Sequence, residues 1–512
     1  MGIIIRQSIK GTIATYIGTG IGIITNFFIL THFLTSEQIG LTRVLVDAAA
    51  LLMSLAQLGT SSSVMRFYPH FKNPNEKDHG FFFWTLVVPF IGMVLFSLLV
   101  ILFKTPITAF FQKESPLFVE YYYYIIPLAF FILYMGVFEL NANVLMRIAI
   151  PKFVREVAVR VMLLAAYLLF AFKIITLDGL VIAFSVVYAL CTFINLFYLF
   201  SLKRISIKPD FAFLTRKLKR EYLFYTLFLV VAAVAVNITP YLNSFFVTGK
   251  MGLEFTGIFA IAVYIVAVIE MPYRSLGAIS QPTIAEAIRN GNFKEADQLS
   301  RQVSLHQFLI GGFIFVLIWI NIDTLFAVMP NGETYRAGKW VVFFLGLSRW
   351  INSSLGIASS ILNYSKCYYY SLCFTVLLTT SAILLNITLI PIYGMEGAAV
   401  ATLASFLFYY ILLYIFNYYK FKTVTISIEQ LKIILILAAI LFINIMCTKY
   451  ITPKLLTIPL KEVYILIGDS LLRTCLTVGL GIFVVYKWRI SKSINELLNK
   501  YNPLNKKQTA VQ

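Results

Sequence analysis

The feature that most limits this chain is a succession of apolar runs, each near twenty residues long, separated by short polar turns. A helix of roughly 20 apolar residues crosses the hydrocarbon core of a bilayer. Backbone amides and carbonyls find no water there, so helices or closed barrels are the only structures that span it. Fourteen runs can be placed: residues 13–32, 40–64, 81–103, 117–141, 153–172, 177–202, 222–247, 255–280, 305–328, 337–362, 368–390, 397–419, 430–448 and 463–488. The expected fold class is therefore an all-α integral membrane protein with about 14 transmembrane helices. Composition agrees, since 60% of the 512 residues are apolar and 13% are charged, about half the charged share of a soluble domain.

The net charge of +19 would suggest nucleic acid in a soluble chain. Here the lysines and arginines gather in the connections, so they read as topology, with anionic lipid headgroups as partners and no nucleic acid. With the N-terminus inside, and charges among the three residues at either end of a span counted with the adjoining loop, inward loops and tails hold 28 of the 42 Lys and Arg, outward loops hold 9, and five lie deeper within spans. That asymmetry places both termini in the cytoplasm. Arg6 and Lys10 precede the first run and no small-residue cleavage site follows, so the run is expected to be retained as a span. The five cysteines, Cys191, Cys367, Cys373, Cys447 and Cys475, have no Cys-x-x-Cys spacing and imply neither a disulfide framework nor a metal site.

Two runs open alike. Glu37-x-x-Gly40 leads into the second and Glu254-x-x-Gly257 into the eighth, an offset of 217. Asp178-Gly179-Leu180 and Glu396-Gly397-Ala398 open the sixth and twelfth, and Lys152 and Lys366 precede the fifth and eleventh. Agreement of three landmarks in register indicates a duplicated six-helix unit. An even number of spans makes the repeat parallel, related by an axis along the membrane normal. The expected organisation is an N-terminal six-helix lobe (1–203), a basic cytoplasmic connector (204–220), a second lobe (221–422), two additional helices (423–490) and a cytoplasmic tail (491–512).

Beyond the first three residues of each span, five arginines fall inside: Arg43, Arg160, Arg274, Arg349 and Arg473. Each is costly unless it faces protein or water, and such residues mark functional sites. Arg349 lies near the midplane of the tenth span, with Asn352, Ser353 and Ser354 beside it, and is read as lining a polar cavity; the alternative is a structural ion pair. Arg43 with Asp47, Glu270 with Arg274, and Asp469 with Arg473 are spaced i, i+4, on one helix face, where each pair can neutralise itself. The last pair reads as structural. Arg43 and Arg274 occupy corresponding helices of the two copies and read as cavity residues. Asp47, Glu139 and Glu270 are candidates to bind a coupling cation or proton, although Glu139, beside Asn141 and Asn143, also suits a solvated helix end. Pro127, Pro240 and Pro272 interrupt spans and mark expected kinks. The tyrosines, including 121–124 and 368–370, suit interfacial belts. Gly18, Gly20 and Gly22 read as close helix packing.

No catalytic pattern is present. Asp-x-Asp and His-Glu-x-x-His are missing, residues 332–339 have one residue too many for a phosphate loop, and the four histidines lie at span ends or in loops. The chain is not expected to be an enzyme. A membrane glycan polymerase or ligase, the alternative from a different class, would need a large external loop.

The fourteen spans, the duplicated unit, the paired Glu-x-x-Gly openings and Pro282-Thr283-Ile284-Ala285-Glu286-Ala287 resemble the polysaccharide transporter family. These are bacterial flippases for lipid-linked oligosaccharides within the multidrug/oligosaccharidyl-lipid/polysaccharide exporter superfamily. The resemblance covers residues 1–422, and the last two spans are similar to additional helices of some members. It implies a two-lobed transporter of the bacterial inner membrane. Its cargo would be an undecaprenyl-diphosphate-linked glycan for O-antigen or capsule, with other polysaccharide assembly proteins as partners. It implies substrate contacts from Arg349, Arg43, Arg274, Asn352, Asn26 and Asn237, no cofactor, and sodium or proton coupling. Arginine suits a diphosphate because guanidinium stays charged and binds phosphate oxygens in pairs. A multidrug or cation antiporter, which typically has a carboxylate in the first or seventh span where this chain has Asn26 and Asn237, and a peptidoglycan-precursor flippase are the alternatives.

Overall fold

The computed structural model describes residues 2–73, 78–203, 205–210, 215–216, 220, 237–450 and 462–488, with backbone alone at 2–10, 12, 65, 278, 447–450 and 462–464. Residues 204, 211–214 and 217–219 of the connector, 222–236 of the seventh run, and the tail 491–512 lie outside the described residues. Among the described residues every regular element is helical. Ten helices among the described residues are long and apolar enough to cross a membrane, or eleven if one bent pair counts as a span. The longest of them holds two of the expected spans. The broken fifth span adds another, and of the seventh only residues 237–247 are described.

The chain groups into two compact units. One is Met1–Ile261 with Asn386–Ala398, and the other is Ala262–Leu385 with Ala399–Gln512.

The first unit begins with α1 (Gly2–Ile24), which passes through a π turn at Thr25–Ile29 into α2 (Leu30–Phe33). Then come α3 (Ser36–Ala56) and α4 (Thr60–Phe71). A capping box starts α3. Gln38 N donates to Thr35 Oγ1 at 3.2 Å, and Thr35 N donates to Gln38 Oε1 at 3.1 Å, satisfying two amides that have no partner in the helix. The second run was expected to be continuous, but it breaks at residues 57–59, where Leu58 (φ 47°) and Gly59 (φ 69°) are left-handed. Glycine takes that conformation without a Cβ clash, and its neighbour is carried along at the junction.

Next are α5 (Phe81–Leu102), α6 (Lys104–Phe111), α7 (Pro116–Glu120) and α8 (Ile125–Val144). The fifth span is α9 (Ala149–Phe153), a π turn at Val154–Ala158, and α10 (Val159–Ala171). The sixth is α11 (Leu177–Ser201). After residue 237 the unit continues with α12 (Leu242–Met251) and the start of α13 (Leu253–Val266). Buried polar groups fasten these helices. Thr192 Oγ1 donates to the Phe131 carbonyl at 2.8 Å, Asn141 Nδ2 to Thr85 Oγ1 at 3.0 Å, and Ser115 Oγ to the Thr248 carbonyl at 2.7 Å. Gly18 abuts the π turn, where a Cβ would come within 2.0 Å of the Glu156 carbonyl oxygen, whereas Gly20 faces open space. The packing expected of the glycine series thus falls to Gly18.

The two Glu-x-x-Gly motifs touch. A Cβ on Gly40 would lie 1.9 Å from the Leu253 carbonyl oxygen, and a Cβ on Gly257 would lie 1.9 Å from that of Ser36. Each glycine meets the residue four places before the other glycine. The contact therefore maps onto itself when the copies are exchanged, as in a two-fold interface. Small residues permit such close backbone crossings between membrane helices.

In the second unit, α13 tightens into a 3₁₀ turn at Ala267–Glu270 before α14 (Met271–Arg289). A 36-residue helix follows, α15 (Phe293–Val328), with Asn292 as its N-cap. It begins twelve residues before the expected ninth run and is the centre of this unit. A short α16 (Gly332–Arg336) leads to α17 (Lys339–Leu355) and α18 (Ala358–Tyr364), bent by 49°. The eleventh and twelfth spans form the 54-residue α19 (Tyr368–Phe421), kinked where Gly394 takes φ 59°, ψ −139°. The last two are α20 (Ile428–Tyr450) and α21 (Glu462–Lys487). Trp350 Nε1 of α17 donates to the Phe308 carbonyl of α15 at 2.9 Å. A polar seam holds α21 on α15: Arg473 Nη1 donates to the Ile320 carbonyl at 2.9 Å, and Asn321 Nδ2 to Thr474 Oγ1 at 2.9 Å. Arg473 also pairs with Asp469 at 2.8 Å, both buried, in the structural role read from their spacing.

Each proline singled out above lies in or just after a 3₁₀ turn. Pro240 is within Thr239–Tyr241, Pro127 follows Tyr122–Tyr124, and Pro272 follows Ala267–Glu270. Proline starts a helical segment well because its missing N–H would have no partner there.

Candidate functional site: two intramembrane guanidinium–carboxylate sites

The densest polar site inside the spans is in the second unit. Glu270 ends the 3₁₀ turn before α14, and Arg349 projects from the middle of α17. Arg349 Nη1 donates to Glu270 Oε1 at 3.0 Å. Asn352, one turn along α17, donates from Nδ2 to the same oxygen at 3.0 Å. Tyr410 of α19 completes the chain, its hydroxyl donating to Asn352 Oδ1 at 2.7 Å. The tyrosine is buried, the Glu270 side chain is 12% exposed and the Arg349 side chain 33% exposed. The network engages Nη1 of the guanidinium, and two-thirds of the Arg349 side chain is covered. Arginine has five N–H donors, so donors remain for an oxyanion.

Three sequence expectations change here. Glu270 pairs with Arg349, 79 residues away, and not with Arg274. An i, i+4 pair needs continuous α-helix, and the 3₁₀ turn with Pro272 interrupts it. Arg274 is exposed on the first turn of α14. Ser353 and Ser354 do not add to the site, because both are buried and their hydroxyls donate back to the Trp350 carbonyl at 3.0 and 2.7 Å. Asn352 alone of the three joins it. Tyr410 was missed, lying in an aromatic stretch with nothing to distinguish it from a belt residue.

The first unit carries the second site. Arg43 Nε donates to Asp47 Oδ2 at 2.8 Å, an i, i+4 pair on α3 with side chains 24% and 6% exposed. Tyr241, at the turn before α12, lies within electrostatic range of both charges. Asn237 is half-buried one turn earlier, and Asn26 is half-buried in the π turn after α1.

Glu139 is buried, not at a solvated helix end, and Arg155 Nη1 donates to its Oε2 at 3.0 Å. Arg155 also approaches Glu156 at 3.4 Å, and Glu156 meets Arg160 at 3.1 Å, so these four charges form a chain around the second π turn. Among the tyrosines, 368–370 are exposed as a belt requires, but Tyr121 and Tyr122 are buried. Tyr121 donates to Asp178 Oδ1 at 2.6 Å, joining α11 to the turn before α8.

No family model matches this sequence, and no curated protein matches it by sequence. Solved structures do match the fold. The lipid II flippase MurJ, in an inward closed conformation, aligns with a TM-score of 0.69 at 16% identity over 94% of this chain and 100% of that one. An inward-facing multidrug resistance MATE family transporter of the MOP superfamily aligns at 0.59 and 14% identity, over 80% of this chain and 94% of its own. The Vibrio cholerae MATE transporter VcmN aligns at 0.56 and 13%, over 81% and 97%. Identities this low establish the fold alone. The chain is a multi-pass membrane protein with a MurJ- and MATE-like transporter fold. The 6% left outside the MurJ alignment is shorter than α20 and α21 together, so the likeness reaches into the final helices.

Proposed function

We propose that this protein is a flippase that moves undecaprenyl-diphosphate-linked oligosaccharide units across the bacterial inner membrane, for assembly of a surface polysaccharide such as O-antigen or capsule. Two six-helix lobes, 1–203 and 221–422, alternate access to the two leaflets, and both termini are cytoplasmic. The observation that carries this reading is Arg349. It is a guanidinium inside a membrane span, held by Glu270 and Asn352 and still one-third exposed. A permanent cation kept so deep has a use for a group that is anionic and lipid-borne, and a diphosphate on an isoprenoid carrier is such a group. Arg43 supplies a second guanidinium, and exposed Arg274 a third. Asn352, Asn26 and Asn237 suit sugar hydroxyls.

The ion pairs also suggest the coupling. A diphosphate that takes the donors of Arg349 leaves Glu270 without its counter-charge, and Glu270 then takes sodium or a proton. Asp47 has the same relation to Arg43. Glu139, tied to Arg155, has a structural role in this reading. A second reading, that the glycan is a peptidoglycan precursor, is favoured by the MurJ likeness and differs only in the sugar.

Depletion of the protein, followed by mass spectrometry of membrane lipids, tests the proposal. One undecaprenyl-diphosphate glycan accumulates on the cytoplasmic face, and its sugar composition tells the two readings apart. An unchanged lipid profile together with loss of drug efflux would overturn both in favour of an antiporter.

A further inference from the structure

The first unit contains a cavity that neither guanidinium site uses. Its volume is about 650 Å³, within the span of roughly 300–1,000 Å³ typical of ligand pockets. Leu51 and Leu55 of α3, Phe96 of α5, Phe103, Phe110 of α6 and Phe245 of α12 stand in its wall. Eight of its seventeen lining residues are aromatic and none is charged. The one side-chain hydroxyl, that of Tyr122, is spent on the Val100 carbonyl at 2.9 Å. Water in such a space would lack partners. The cavity is not sealed, since Leu99, Phe103 and Phe110 are 38%, 55% and 38% exposed. In a bilayer that opening faces lipid.

One end of the cavity is apolar and the other has a basic rim. Leu55 lies near the break in the second span, at the opposite end of α3 from Ser36. Phe103, between α5 and α6, and Phe110, near the end of α6, lie on the side that the loop charges place outside. There the Lys250 ammonium sits 5.6 Å from the Phe110 ring centre, and the Lys104 ammonium 4.4 Å from that of Tyr123. A long apolar chain pointing toward the midplane, below an anionic head at the outer surface, matches both ends. The space is smaller than a whole undecaprenyl chain and takes the segment next to the head, the rest staying in lipid. Flat aromatic walls suit the planar alkenes of an isoprenoid.

We infer that this cavity holds the head-proximal segment of the isoprenoid chain of a polyprenyl diphosphate lipid in the outer leaflet, with the diphosphate against Lys104 and Lys250. This rests on the flippase reading and adds to it a tail site separate from the guanidinium sites.

The test uses the full chain in nanodiscs of phosphatidylethanolamine and phosphatidylglycerol, with an undecaprenyl diphosphate probe carrying a photoreactive group in its isoprenoid chain. Labelled peptides are mapped by mass spectrometry. The expected labels fall on residues 48–55, 96–111 and 245–246. Excess unlabelled undecaprenyl diphosphate removes them, and equal excess phosphatidylglycerol does not. Filling the cavity with Leu51→Trp or Ala48→Phe lowers labelling by about five-fold or more, since the chain loses the apolar area it would bury. The wild-type map decides the matter even if both variants fail to fold. Saturable labelling confined to other helices overturns this inference and leaves the flippase reading standing. Competition by phosphatidylglycerol overturns it in favour of a general lipid site. No saturable labelling anywhere overturns the flippase reading as well.

Discussion

The two guanidinium sites share a sequence logic and differ in construction. In the first unit, Glu37-x-x-Gly40 opens α3, and the arginine and its carboxylate follow on that same helix, one turn apart. In the second, Glu254-x-x-Gly257 opens α13, but the carboxylate reaches across to an arginine on α17, and a tyrosine from α19 finishes the network. An intrahelical pair can come apart without moving any helix. A cross-helix pair also fastens three elements, so the same substitution orphans a buried carboxylate at both sites but loosens helix packing only in the second unit.

Arg349→Gln gives the largest effect. It leaves Glu270 buried without a counter-charge, costing about 1–3 kcal/mol of stability, less than a fully buried pair because Arg349 is partly exposed. Translocation falls about 100-fold. Adding Glu270→Gln removes the orphan charge, so thermal unfolding of the double variant in detergent returns toward wild type while translocation stays lost. Recovery of both would make the pair merely structural. Next come Gly40→Ala and Gly257→Ala, where a methyl would meet a backbone carbonyl at 1.9 Å. Each costs about 1–3 kcal/mol by overpacking, read as a lower unfolding temperature. Because the contact is reciprocal, the two losses should be similar, and a one-sided loss would break the symmetry argument. Arg43→Gln comes third. It lowers affinity for undecaprenyl diphosphate about ten-fold, measured as the ratio of diphosphate to alcohol binding, and costs about 1–3 kcal/mol of stability because Asp47 is left buried without its counter-charge. The smallest effect is at Asp469 and Arg473. Replacing both with leucine and methionine changes stability by about 1 kcal/mol or less and leaves translocation intact.

Much of the fold was legible because hydrophobic run length is a direct record of bilayer thickness. The turn between the eleventh and twelfth spans was bracketed correctly around Gly394. The break at residues 57–59 was not seen, because Gln57-Leu58-Gly59 sits inside a run whose average hydropathy continues across it. The start of α15 at Phe293 was missed for the opposite reason: its first turns are polar, and hydropathy does not register a helix that projects from the membrane. At the sites, Arg43 with Asp47 was readable because helical spacing alone brings them together. The partner of Glu270 was not. It depends on a 3₁₀ turn that rotates the carboxylate away from Arg274 and on tertiary contact with α17, and neither has a local signature. Glu139 was misread as solvated because its depth and its partner Arg155 are set by packing around a π turn.

The central claim is that Arg349 is kept inside the membrane to read a lipid-borne diphosphate, and one binding measurement addresses it directly. Native mass spectrometry of the purified protein would compare undecaprenyl diphosphate with undecaprenol for wild type and for the Glu270→Gln, Arg349→Gln double variant. The account predicts a preference for the diphosphate of about ten-fold or more, largely lost in the double variant while its unfolding temperature stays near wild type. An equally strong preference in the double variant would contradict it.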